Sequence, residues 1–239
     1  MRIVSLVPSL TELVWWLGRD DWLIGRTRFC TEPEGLIERV PAFGGTKDPD
    51  VVAIAGLRPD LVITNREENR KEDVEALEAA GLRVVLTDPN SVDEAVAMVA
   101  ELGALLGGDE RAQELVADID AALAAPVPGP KVFVAVWKKP LLGLGSESYG
   151  NDLIRRCGAT NVLAGRPRYP ETSQEELIAL APDLILLPDE PYRFRERDRK
   201  EFSRIAPARL VDGKALWWYG PRMPEAIRQL RALFTAPTG

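Results

Sequence analysis

The chain has 239 residues, 46% hydrophobic and 28% charged, the balance of a globular protein with one large core or two small ones. Its 30 basic and 37 acidic residues leave a net charge of −7, which argues against a nucleic-acid partner. Histidine is absent, which excludes His-ligated zinc, a Ser-His-Asp triad and a His general base, and Cys30 and Cys157 are too few for a disulfide scaffold or a four-cysteine metal site.

The predicted elements begin at once. Ile3 to Val7 reads as a strand. Ser9-Leu10-Thr11-Glu12 has the form of a capping box opening a helix to Leu17, stopped by Gly18. With no separate apolar region and no small-residue cleavage site, the start predicts a cytoplasmic protein, or a periplasmic or cell-surface one if an export signal has been removed. Trp22 to Gly25 follows as a short strand, Asp50 to Leu57 as a helix, and Leu61 to Thr64 as a strand. Lys71 to Ala80 is a helix with Gly81 as its cap, and Arg83 to Thr87 a strand. Ser91 to Ala125 is wholly helical in pattern, divided at Gly107-Gly108-Asp109, with Asp109 as N-cap. Its second half would span ~24 Å at 1.5 Å per residue, long enough to act as a spine.

Pro126-Val127-Pro128-Gly129-Pro130 is the boundary signal. Beyond it, Val132 to Val136 is a strand and Asn151 to Cys157 lies in a helix. Ser173 to Glu176 forms a second capping box, and Leu184 to Leu187 a strand. Arg193 to Lys200 reads as a solvated helix face, Leu210-Val211 as a weak strand and Pro224 to Phe234 as the closing helix. No apolar run reaches the roughly 18 residues of a membrane span.

One pattern occurs twice. Leu57-Arg58-Pro59-Asp60-Leu61-Val62-Ile63 returns 123 residues later as Leu180-Ala181-Pro182-Asp183-Leu184-Ile185-Leu186. In each copy a helix ends at Pro and a continuous apolar run forms a strand buried on both faces. Two copies predict two similar α/β lobes with a ligand cleft between them. The expected divisions are residues 1–107, a connecting helix over 108–127, and 128–239.

Ligands of open α/β sheets sit beyond the carboxyl ends of the strands, so the candidate residues lie there. They are Pro8, Ser9, Phe29, Cys30, Phe43, Gly44 and Gly45, then Asn65, Glu67 and Glu68. The second half adds Trp137, Tyr169, Trp217, Trp218 and Tyr219. Aromatics in loops of both halves suit a large flat ligand held by stacking. Trp15 and Trp16, on a helix, read as core or half-buried. Gly44-Gly45 serves either a tight turn or close ligand approach. Glu67 and Glu68 could form an acid–base pair, yet no nucleophile with a partner base is evident, so no catalytic residue is assigned. Neither a metal site nor a required cofactor is expected.

The opening Arg2 to Glu12 resembles that of the cobalamin-binding proteins of ABC importers. Gly44 to Asp50, Leu57 to Ile63, Asn65 to Asn69, Asn151 to Val162 and Trp218 to Arg222 continue the likeness in order. The resemblance implies two Rossmann-like lobes joined by a single long helix, and binding of a corrinoid between them. A haem or ferric siderophore is the alternative ligand, and an enzyme with a Glu67 or Glu68 base a more distant one. It also implies corrin-facing aromatics at Phe29, Phe43, Tyr169 and Trp217-Trp218. Docking carboxylates, one per lobe, would fall at Asp50 and Glu175 and engage an ABC permease. The family's transport protein carries tryptophan where this chain has Phe43, Asn65 and Tyr169. It also has a disulfide partner for Cys157 where this chain has Arg231. The expected partners are a small-molecule metal chelate and possibly the permease, bound to a single copy of the chain.

Overall fold

The structure is a computed structural model and describes residues 1–124 and 128–236. By contacts it divides into two compact units. The first holds Met1–Asp88, Val96–Val116 and Tyr219–Pro221; the second holds Pro89–Ala95, Ala117–Trp218 and Arg222 onward.

The first unit carries β1 (Ile3–Ser5), α1 (Pro8–Trp16), β2 (Leu23–Arg26), α2 (Val51–Gly56), β3 (Leu61–Asn65), α3 (Lys71–Ala79) and β4 (Val84–Thr87). Its sheet runs β2-β1-β3-β4, all parallel. Every residue of β3 is buried, as a central parallel strand covered on both faces requires. Val4, Leu6, Ile54, Val62 and Leu77 form the core on one side of it. The chain passes between the units within α4 (Val92–Leu106) and again within α5 (Asp109–Leu123). Of the expected boundary segment, Pro126 and Val127 lie outside the described residues, as does Ala125 at the expected helix end.

The second unit adds β5 (Lys131–Trp137), β6 (Leu142–Gly143), α6 (Tyr149–Arg156), β7 (Thr160–Asn161), α7 (Gln174–Leu180), β8 (Leu184–Pro188), α8 (Glu196–Phe202), β9 (Ala208–Val211), α9 (Lys214–Trp217) and α10 (Met223–Thr235). Its order is β6-β5-β8-β9, with β6 antiparallel and β7 pairing β5. Phe133, Leu177, Ile185, Phe194 and Phe202 build its core.

The repeated Pro-Asp motif has a definite structural task. Arg58 and Ala181, at matching positions, both take left-handed backbone, with φ of 50° and 46°. The chain thereby leaves the helix and turns into the strand. Asp60 then accepts from the Arg2 N–H at 2.7 Å while its own N–H reaches Arg2 O at 2.8 Å. Asp183 does the same with Lys131, at 2.8 Å both ways. Each aspartate thus pins the entry of one central strand to the start of its neighbour, which fixes register.

Three local expectations need correcting. Ser9 does not cap a helix: Pro8 occupies the first turn, Val7 is the N-cap, and Ser9 is buried inside α1. Ring closure presets Pro8 for helix and moves the start upstream. Ser173 is an N-cap, accepting from Glu176 N at 3.2 Å, but the Glu176 carboxylate turns to Arg166 and Thr172 instead of closing a box. The run Arg193 to Lys200 is not wholly solvated either. Asp198 is fully buried and takes the Lys138 ammonium at 2.5 Å.

Candidate functional site

In the first unit the strand ends are tied together by two asparagines. Asn65 is fully buried at the end of β3, and its side-chain oxygen accepts from the N–H groups of Glu67 and Glu68 at 2.9 and 3.3 Å. Its amide nitrogen reaches Thr87 Oγ1, at the end of β4, at 3.1 Å. Asn69 accepts from Asn65 N and donates to Leu6 O and Thr46 O, at 2.9, 3.2 and 3.0 Å. Asn69 spends every one of these bonds on backbone and Asn65 all but the one to Thr87, which builds a rigid platform. On it sit Glu67 and Glu68, both half-buried. Burial pushes the Glu68 carboxyl up, opposed by the Lys47 charge and a Thr46 hydrogen bond and reinforced by Glu67. Lys47 itself donates to Glu67 O at 2.5 Å.

The neighbouring loops present one ring and tuck others away. Phe29 is 51% exposed, with the Arg28 guanidinium 4.9 Å from its ring centre and held by Asp48 at 2.9 Å. Phe43 is half-buried against Gly25. Gly44 has φ +78°, and a β-carbon there would lie 2.2 Å from Asp48 O, so the loop's own turn demands glycine. Gly45 is buried against Asp48 and Arg28. Pro8 and Ser9 are buried, and so is Cys30, with Thr11 Oγ1 3.1 Å and Thr27 Oγ1 3.2 Å from its sulfur. Burial pushes the Cys30 thiol up despite those hydroxyls. Tyr219, assigned to this unit by its contacts, is buried.

In the second unit Trp137, at the end of β5, is 41% exposed. Its ring meets Tyr192 edge-on at 5.4 Å, and Tyr192 meets Phe194 at 4.7 Å. Tyr169 is half-buried on a segment held by the Gly145–Arg168 and Gly143–Pro170 backbone bonds, 2.7 and 3.0 Å long. Trp217 and Trp218 share an anchor that the sequence did not disclose, Glu190. Trp217 Nε1 donates to its carbonyl and Trp218 Nε1 to its carboxylate, each at 2.8 Å. Trp218 is buried, with Lys214 and Arg222 at 5.0 and 5.3 Å from its ring. Trp217 is half-buried over Gly150, where a β-carbon would meet its ring at 2.8 Å. Burial raises the Glu190 carboxyl, opposed by the Trp218 bond. The most exposed of the expected rings are therefore Phe29 and Trp137.

The two expected docking carboxylates differ in their freedom. Asp50 caps α2, accepting from Ala53 N at 3.0 Å. Glu175 is exposed in the first turn of α7, its carboxyl lowered by its own N–H and by Ser173. In the repeat, the position matching Glu175 is Val52, which is 83% exposed. Among the described residues no three acidic or cysteine side chains gather as a metal-ion site, and no helix is long and apolar enough to cross a membrane.

The family described as periplasmic binding protein matches residues 3–205. The chain belongs to that family. Among periplasmic binding proteins and their kin, a vitamin B12-binding protein of Pectobacterium carotovorum is 23% identical over 247 residues, spanning 98% of this chain and 88% of that protein. An uncharacterised ABC-transporter substrate-binding lipoprotein of Bacillus subtilis is 26% identical over 249 residues, with 96% and 78% spanned. The solved periplasmic haem-binding protein of Pseudomonas aeruginosa is similar with a TM-score of 0.81 at 25% identity, over 100% of this chain and 94% of that one. The chain thus shares the α/β fold of its kin.

Proposed function

We propose that the chain binds a corrinoid and delivers it, unchanged, to an ABC permease. The ligand is held by the loops that follow the strands of each unit. The observation that carries this reading is the pair of exposed rings at strand ends, Phe29 after β2 and Trp137 closing β5. Exposed aromatics on braced loops are what a flat chelate needs. Support comes from the vitamin B12-binding relative, and a haem-type chelate is the second reading because a haem-binding protein shares the fold. Periplasmic and lipoprotein kin favour a site of action outside the cytoplasmic membrane, in place of the cytoplasmic location expected from the first residues. Docking then falls to exposed Glu175, with Val52 rather than the capped Asp50 at the matching place in the first unit.

The test is a tryptophan-emission titration with dicyanocobinamide, cyanocobalamin, haem and a ferric siderophore. A corrinoid should quench emission at one ligand per chain. Phe29→Ala and Trp137→Ala should each weaken binding by about tenfold, near 1.4 kcal/mol. Glu175→Ala should leave affinity within about threefold, roughly 0.65 kcal/mol, while slowing uptake through the permease. Quenching by haem alone would replace the corrinoid with the second reading, and no change with any chelate would end both.

A further inference from the structure

Trp137, the exposed ring that closes β5, is held from two directions by one segment, the loop after β8 together with α8. The first hold is on the ring. Tyr192 meets it at 5.4 Å with the two planes 70° apart, and Phe194 meets Tyr192 at 4.7 Å. Phe194 is a core side chain, 3% exposed, and meets Phe202 of α8 at 6.2 Å. The exposed ring is therefore the outer end of a row of edge contacts rooted in the core, the geometry that aromatic pairs prefer. The second hold is on the backbone. Lys138, the next residue, has a side chain only 17% exposed, and it donates to Asp198 at 2.5 Å and to Glu201 at 2.8 Å. Each carboxylate is fixed in turn: Asp198 accepts from Arg195 N at 2.8 Å and Glu201 from Gln174 Nε2 at 2.7 Å. A third contact, Trp137 Nε1 to Lys139 O at 3.2 Å, lies within the same turn. A ring fixed before its ligand arrives loses less freedom on binding.

We propose that Tyr192 is a positioning residue for the ligand, fixing the face that Trp137 offers, and that Lys138 anchors the strand end beneath that ring. Tyr192 acts through Trp137 and makes no bond to the ligand itself. The inference rests on the reading of Trp137 as a ligand-facing ring. The sequence hid it because Tyr192 and Asp198 lie beside or within Arg193 to Lys200, a run with the composition of a solvated face.

The test is a double-mutant cycle read calorimetrically on the full chain with dicyanocobinamide, or with haem if haem alone binds. Tyr192→Leu should weaken binding about fivefold, ~1 kcal/mol. In the Trp137→Ala background the same substitution should cost less than about twofold, because the ring it positions is gone. Tyr192→Phe, which keeps the ring edge, should bind as the unmodified chain does. Lys138→Met should follow the pattern of Tyr192→Leu, and the Tyr192 variants decide the matter even if it does not fold. A loss in Tyr192→Leu that persists without Trp137 overturns the proposal, since Tyr192 then acts directly or through the fold at large. Full affinity in Tyr192→Leu, or weakened binding in Tyr192→Phe, overturns it as well. If Trp137→Ala alone binds as tightly as the unmodified chain, or neither probe binds, the reading of Trp137 fails and this inference with it.

Discussion

At the residue scale, burial governs the chemistry of the few reactive groups. Both cysteines are free and buried, and burial pushes the Cys157 thiol up to about 12. Arg231, standing where the family's transport protein has the second cysteine, donates to Ala122 O instead. Native protein near pH 8 should therefore react slowly with a thiol reagent, because the thiolate is scarce and enclosed. Denatured protein without reductant should release two thiols; finding none would contradict the structure. Glu68 gives a pH signature. Burial raises its folded value above the ordinary 4.5, so between the two values the folded chain holds a proton that the unfolded chain has lost. The group's contribution to stability is full below 4.5 and falls as pH rises through the raised value. Glu68→Gln should raise the melting temperature at pH 7 and lose that advantage toward pH 4. A variant less stable than the parent at pH 7 would show that the carboxylate is favourably placed when charged.

At the scale of elements, legibility followed the range of the interactions. The strands β1, β3, β5 and β8 were readable because continuous apolar runs announce double-sided burial. The Pro-Asp repeat was readable too, although its reason, an aspartate clamping the neighbouring strand's first N–H, is not. β6 and β7 hold two residues each, too few for any period to show. The pairing of Asp198 with Lys138 joins positions 60 apart and leaves no local trace. Lys138 keeps Glu201 at 2.8 Å when Asp198 is removed, so the loss is that of charged hydrogen bonds and not of a stranded ion. Asp198→Ala should therefore destabilise the chain by about 1.5–3 kcal/mol in urea unfolding, against under about 1 kcal/mol for an exposed pair such as Arg28–Asp48. Equal small losses at both sites would deny Asp198 its buried role.

For the whole molecule, two α/β units with matching Pro-Asp strand entries make a chain whose loops, not its core, decide the ligand. The sequence named most of the strand-end residues. It could not separate exposed Phe29 and Trp137 from Asn65 and Trp218, which are consumed by Thr87, Glu67, Glu68 and Glu190. That separation depends on contacts between segments distant in the chain. The central claim is that the protein carries a corrinoid and does not transform it. Its most direct test is calorimetric titration of the full chain with dicyanocobinamide, followed by release of the ligand and mass analysis. The account predicts one corrinoid bound per chain and recovery of the same molecule. Absence of binding, or recovery of a chemically altered corrinoid, would contradict it.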